Sequence, residues 1–270
     1  MVLIGAAIAW LVRVWCQRSF ARIGENIARW LHGPQWSTHL KPDALRAFAE
    51  RCFYALVHLA SACAGGWMCW RFGWLTSPGE FFFRLPWPHE LPRAQRDAAD
   101  AYYAFEGACA LESSFALALK VRRTGARRHA MMLVHHAVTL LLLGVSWRFG
   151  ILEVGSVVLW LHATSDVAID VLKAADDLRF EAALVPLGVT AIGAWAGLRF
   201  GLLPLHVLRP GWLQIQEVGT LYRDPNTVSW PDEFFPGTLA WIGLAVLTVL
   251  HGAWFVQLVA KVNRVARRNA

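Results

Sequence analysis

The chain has 270 residues, 56% of them hydrophobic and 17% charged, with a mean hydropathy of +0.39. That is too apolar for an ordinary water-soluble enzyme and fits one membrane domain. The net charge of +7 does not form a nucleic-acid-binding stripe, because Lys and Arg gather just outside the apolar runs.

In chain order, the stretch 1–29 is apolar, then interrupted by Arg13, Arg18 and Arg22. It lacks the basic start of a cleavable signal and reads either as an amphipathic helix on the membrane surface or as an extra span. Six later runs reach the roughly 20 residues a helix needs to cross hydrocarbon: 48–70, 101–120, 130–147, 151–173, 182–205 and 236–261. The predicted fold is therefore all-α, a polytopic membrane bundle of six spans with a short N-terminal helix that the sequence leaves open as a seventh. Segment 1–40 is the N-terminal anchor, 41–262 the transmembrane domain and 263–270 a basic tail. The five Cys show no metal-ligand spacing and read as small buried hydrophobes.

Charge sets the orientation. The segments 13–51, 120–129 (KVRRTGARRH) and 261–268 are basic, and six spans put all three on one side, which the positive-inside rule makes cytosolic. The loops 71–99 and 206–235 then face the lumen. Arg122, Arg123, Arg127 and Arg128 serve topology alone on the plainer reading. On the functional one they also attract a polyanion to the cytosolic mouth, since Arg forks bind phosphate well.

The informative residues lie in spans three and four. His135, His136, His162, Asp166 and Asp170 are ionisable groups in apolar helices, where such groups are costly and mark functional sites by default. His162, Asp166 and Asp170 follow one another at i, i+4 and i+8 along one helix face. Counting from the expected cytosolic ends, His135 and Asp166 lie at one depth, roughly 10 Å in at 1.5 Å per residue. A His135–Asp166 contact is then expected, the carboxylate orienting the ring and leaving its other nitrogen as base or nucleophile. Three plainer readings compete: helix-to-helix hydrogen bonding, a metal site built from the same residues, and ion transport along the ladder. The spacing lacks HxxxH and ExxH, and no broken helix pair is evident, so no metal is assigned. Glu106 and Glu112 read as partners for Lys120 or as cavity lining. Arg199 is expected to snorkel to the luminal interface and His251 to pack against Trp254; His58 has no evident partner.

The series His135-His136, His162, Asp166, Asp170, Lys173 resembles the signature of the ceramide synthases, members of the TLC-domain membrane proteins. The likeness extends to PWPHELP at 86–92, to Ala101-Tyr102-Tyr103, to Trp195, Arg199 and Pro204, and to LHGAWFVQLVAK at 250–261. Departures are Ala163 where the family has Asp, Glu153 where it has Arg, and Glu106 where it has Gln. The resemblance implies transfer of a fatty acyl group from acyl-CoA, a co-substrate and not a cofactor, to the amine of a sphingoid base. It also implies residence in the endoplasmic reticulum membrane as a multi-pass protein with a cytosolic C-terminus. In that reading His135 is nucleophile or base, His136 and His162 serve the oxyanion or the proton, and Asp170 holds the incoming ammonium. The CoA phosphates lie near Arg122, Arg123, Arg127 and Arg128, and the 206–235 loop bears on acyl length. A homodimer is left open. The rivals are a non-catalytic TLC-domain lipid binder, favoured by Ala163, and an acyltransferase for a different amine or alcohol.

Overall fold

The computed structural model describes residues 2–75, 91–221 and 234–269, and every regular element among them is helical. Seven long helices among the described residues form the bundle: α1 (Val2–His32), α2 (Ala44–Arg71), α3 (Arg93–Thr124), α4 (Ala130–Arg148), α5 (Leu152–Asp177), α6 (Glu181–Trp195) and, after a shorter α7 (Arg209–Leu221), α8 (Phe234–Asn269). α6 runs into α7 through two π-helical stretches, Ala196–Leu202 and Pro204–Leu208. Gly125 and Gly150 have positive φ, 87° and 72°, which glycine adopts readily, and they stand where α3 and α4 stop before the chain reverses. The protein is a multi-pass helical membrane protein, as expected.

Six helical segments among the described residues are long and apolar enough to cross a membrane, and they include Val2–His39 at the N-terminal end. The expected span over 101–120 forms α3, a full-length bundle helix whose Glu, Lys and Arg residues keep it below that apolarity. α1 packs into the bundle. It runs alongside α2 and parallel to α3, with Gly5 against Ala108 and Gly24 against the Phe48 ring. Its opposite side turns Leu3, Leu11 and Trp15 outward, as Trp70 of α2 and Val249 of α8 are turned outward. An apolar rim of this kind suits lipid, which leaves packing and hydrogen bonding to hold the helices together.

Small residues and hydroxyls make those contacts. Gly65 of α2 lets the Tyr102 hydroxyl and Trp160 approach, and Tyr102 Oη lies 2.9 Å from Ser61 Oγ. Tyr103 donates to Ser146 Oγ at 3.0 Å, and Gly155 leaves room for the same tyrosine. The two tyrosines of the Tyr-Tyr pair thus tie α3 to α2 on one side and to α4 and α5 on the other. Arg13 of α1, buried, donates to Glu112 at 2.7 Å and lies 3.4 Å from Glu50. Lys120 bonds Glu50, so the expected Glu112–Lys120 pairing is replaced: α1 supplies a closer cation. Lys261 reaches Asp176 at 2.6 Å and His32 reaches the Leu178 carbonyl at 2.9 Å, which gathers the ends of α1, α5 and α8 on one side. The five cysteines are free thiols; Cys69 is buried, whereas Cys63 faces outward.

Candidate functional site

α5 carries the ladder through the middle of the bundle, and its three ionisable side chains turn to three different partners. Asp170, the outermost, accepts from His58 Nδ1 of α2 at 2.8 Å. Asp166 accepts through Oδ1 from Arg199 Nη2 at 2.6 Å. His162 Nδ1 lies 2.7 Å from the Val158 carbonyl one turn back. A carbonyl only accepts, so Nδ1 carries the hydrogen and Nε2 of the neutral ring carries the lone pair. That Nε2 is buried and has no hydrogen-bond partner.

Arg199 sits in the first π-helical stretch and, instead of snorkelling to an interface, is 2% exposed. π-Helical segments often occur at functional sites, and this one delivers a guanidinium into the core. Its Nε donates to Ser165 Oγ at 2.7 Å, its Nη2 also lies 3.3 Å from the His162 carbonyl, and its Cζ stands 4.2 Å from the centre of the Trp195 ring. One cation thereby satisfies a carboxylate, a hydroxyl and a carbonyl of α5 while resting on an aromatic face.

The expected His135–Asp166 contact is not made. Asp166 is engaged by Arg199, no hydrogen bond joins it to His135, and His135 Nδ1 is buried without a partner. The difference lies in the partners: Arg199, carried inward by the π-helical stretch, takes Asp166. His135 turns to α8 instead. Its ring centre lies 5.3 Å from Trp254 and 6.4 Å from His251.

His251 is the hub of this arrangement. It is fully buried, its ring centre is 4.9 Å from His162, and Trp195 and Trp254 complete its surroundings at 5.8 and 6.3 Å. Neither of its nitrogens has a hydrogen-bond partner, and Trp195 Nε1 and Thr139 Oγ1 are likewise buried and unpartnered. Three imidazoles from α4, α5 and α8 therefore converge beside the Arg199–Asp166 pair. Leaving a buried donor or acceptor unpaired costs about 1–3 kcal/mol each, so a cluster of them marks a place meant for another molecule. No group of three His, Cys, Asp or Glu among the described residues is arranged to hold a metal ion.

The other expected site residues lie around this centre. His136 points toward α3, where Ser114 Oγ is 3.1 Å from its Nδ1. The one Ser114 proton has a nearer acceptor in the Ala110 carbonyl at 2.6 Å, so the ring N–H donates to the serine. Arg122, Arg123, Arg127 and Arg128 are exposed at the corner between α3 and α4. Of the elements expected to be luminal, most of PWPHELP and 222–233 of the loop expected to bear on acyl length lie outside the described residues. Residue reasoning missed Arg199, His251 and the His58–Asp170 pair. The signal was present for all three, since each of Arg199, His251 and His58 is an ionisable group inside an apolar run.

A family profile described as the TLC domain covers residues 47–260. The chain belongs to the TLC-domain family. Within it, the resemblance to the ceramide synthases holds. This TLC-domain protein is 28% identical to "Ceramide synthase hyl-2" of Caenorhabditis elegans over 170 residues, covering 62% of this chain and 49% of that one. It is 23% identical to mouse "Ceramide synthase 5" over 231 residues, 84% of this chain and 50% of the relative. With human "Ceramide synthase 1" it shares 32% over 140 residues, 48% of this chain and 36% of the relative. The TLC-domain chain spans about half the length of the curated relatives it matches. The profile runs from within α2 through most of α8 and takes in every residue of the imidazole cluster.

Proposed function

We propose that this protein transfers a fatty acyl group from acyl-CoA to the amine of a sphingoid base, in the endoplasmic reticulum membrane with its C-terminus cytosolic. The observation that carries the reading is the convergence of His135, His162 and His251, with unpartnered nitrogens, inside an apolar bundle. The ceramide synthase relatives supply the substrate class, and the basic ends gathered on one side support the orientation.

The chemistry needs a base, a place for the oxyanion and exclusion of water, because a thioester is already activated. A long-chain ammonium must lose a proton before its nitrogen can attack the thioester carbon. That first proton passes to water at the cytosolic mouth, and His162 Nε2 is suited to take the second N–H proton as the N–C bond forms, since the Val158 carbonyl holds the hydrogen on Nδ1. His135 either accepts the acyl group first, as an acyl-imidazole, or acts as base itself. In both routes the new N–C bond replaces the C–S bond, and the amine proton leaves with the thiol. Arg199 pairs with Asp166 and fixes α5 against the π-helical stretch, so Asp166 acts on the imidazoles through its field. His136 is placed by Ser114 to pass the proton on, and Asp170 with His58 lies toward the cytosolic end, where the ammonium enters. The exposed arginines between α3 and α4 meet the CoA phosphates.

The test is purified protein in detergent with palmitoyl-CoA and sphinganine, beside His135→Ala, read by mass spectrometry. The amide is expected with wild type and at least about 100-fold less with the variant, the order expected for loss of a base or nucleophile. Folded wild-type protein that makes no amide across several chain lengths and bases rejects the reading. A second reading, a non-catalytic lipid binder, is favoured by Ala163 and by the missing His135–Asp166 contact. That protein would bind the same lipids and leave the thioester intact.

A further inference from the structure

His251 lies on α8, far along the chain from the histidine and aspartate series, and the mechanism above leaves it without a role. Yet it is the group that the other two imidazoles share. His162 and His135 both face it, Trp195 and Trp254 wall it in, and it is 0% exposed. A neutral imidazole has one N–H and one lone pair, and both are unsatisfied here. If filling space were its task, an apolar side chain of the same shape would do so without about 1–3 kcal/mol for each unpaired group. The Val158 carbonyl is engaged by His162 and Asp166 by Arg199, and no hydrogen bond joins His251 to the His162 Nε2 lone pair. His162 Nε2, unpaired and on the neighbouring ring, is the group that removes the amine proton.

We propose that His251 is a catalytic residue for the acyl transfer, its ring N–H donating to the carbonyl oxygen of the acyl group as the tetrahedral intermediate forms. The inference rests on the acyl-transfer reading. As the amine nitrogen bonds the thioester carbon, the C=O electron pair moves onto oxygen, and the amine proton goes to His162 Nε2. When that pair returns, the C–S bond breaks, and the thiolate takes the proton from the His162 imidazolium. His251 gives up no proton in the cycle; its N–H stabilises charge that exists only at the intermediate. Such a donor in a site closed to water acts on kcat and leaves substrate binding nearly untouched. Trp195 and Trp254 make the site dry, which strengthens the effect.

The experiment compares wild type with His251→Leu, which removes the donor, and His251→Gln, which restores an N–H near the position of Nε2. All are full-length chains in detergent, checked for folding by tryptophan fluorescence melting. Palmitoyl-CoA is supplied with and without sphinganine, and both amide and released CoA thiol are measured. The expectation is a loss of about 100-fold or more in kcat for His251→Leu, with KM for palmitoyl-CoA changed less than about threefold, and recovery to within about tenfold for His251→Gln. Leu and Gln variants within about threefold of wild type, or falling equally, overturn the proposal, the second result meaning a packing role. Thiol release without amide rejects the proposed acceptor, while the Leu–Gln comparison on thiol release still decides His251. No thiol release from folded wild type overturns both.

Discussion

Arg199→Met tests the central structural claim, that one buried guanidinium holds α5 to the π-helical stretch. The substitution keeps most of the side-chain volume and leaves Asp166, Ser165 Oγ and the His162 carbonyl without their donor. Asp166 is the costly one, for its side chain is only 31% exposed and would be an unpaired carboxylate in the bundle. Breaking a buried ion pair from one side costs about 3–5 kcal/mol. For a chain of this size, about 2–4 °C of melting temperature per kcal/mol translates that into a fall of roughly 6–20 °C. Replacing both partners, Arg199→Met with Asp166→Leu, removes the stranded charge, so the double variant should melt above the Arg199→Met single. Arg199→Lys should recover part of the loss, because a point charge can meet Asp166 but cannot also reach Ser165 and the carbonyl as a fork does. The assay is tryptophan fluorescence melting in one detergent, analysed as a double-mutant cycle. A single-variant cost below about 1 kcal/mol, or additivity of the two substitutions, would refute the reasoning.

Other outcomes follow from the same geometry. Gly155→Ala drives a methyl group into the Tyr103 hydroxyl and should cost about 1–3 kcal/mol, measured by melting; Gly155→Ala with Tyr103→Phe should recover much of it. Arg13→Met strands Glu112, which is 2% exposed at its side chain, and should loosen α1, seen as faster limited proteolysis within 2–32; with Glu112→Gln as second change, the cost should fall. Neutralising Arg122, Arg123, Arg127 and Arg128 to Gln should raise KM for palmitoyl-CoA about tenfold and flatten its salt dependence. A short thioester lacking the CoA phosphates should be used as well as before; equal effects on both substrates would remove the arginines from phosphate binding.

What the sequence determined by itself is the class of the molecule and the identity of most site residues. Apolar runs of spanning length can satisfy their backbone only as helices in a bundle, and ionisable groups persist inside such runs only for a reason. His135, His162 and Asp166 were legible on that ground, and the ordered series carried the family. The partners were decided by tertiary structure alone. Depth counted along separate helices put His135 beside Asp166, but a contact depends on how each helix is rotated and which partners it meets: Arg199 takes Asp166, and His135 turns to α8. The π-helical stretch then swings Arg199 inward to take the carboxylate, a local rewinding that no apolar pattern records. α8 closes the cluster by placing His251 between imidazoles from α4 and α5 that lie about a hundred residues earlier in the chain. Ion pairs such as Arg13–Glu112 let α1 and α3, helices with charged residues, stand inside the bundle. Helix existence is a local property of residue type, whereas the site depends on which faces meet, and that is settled by packing across the whole bundle.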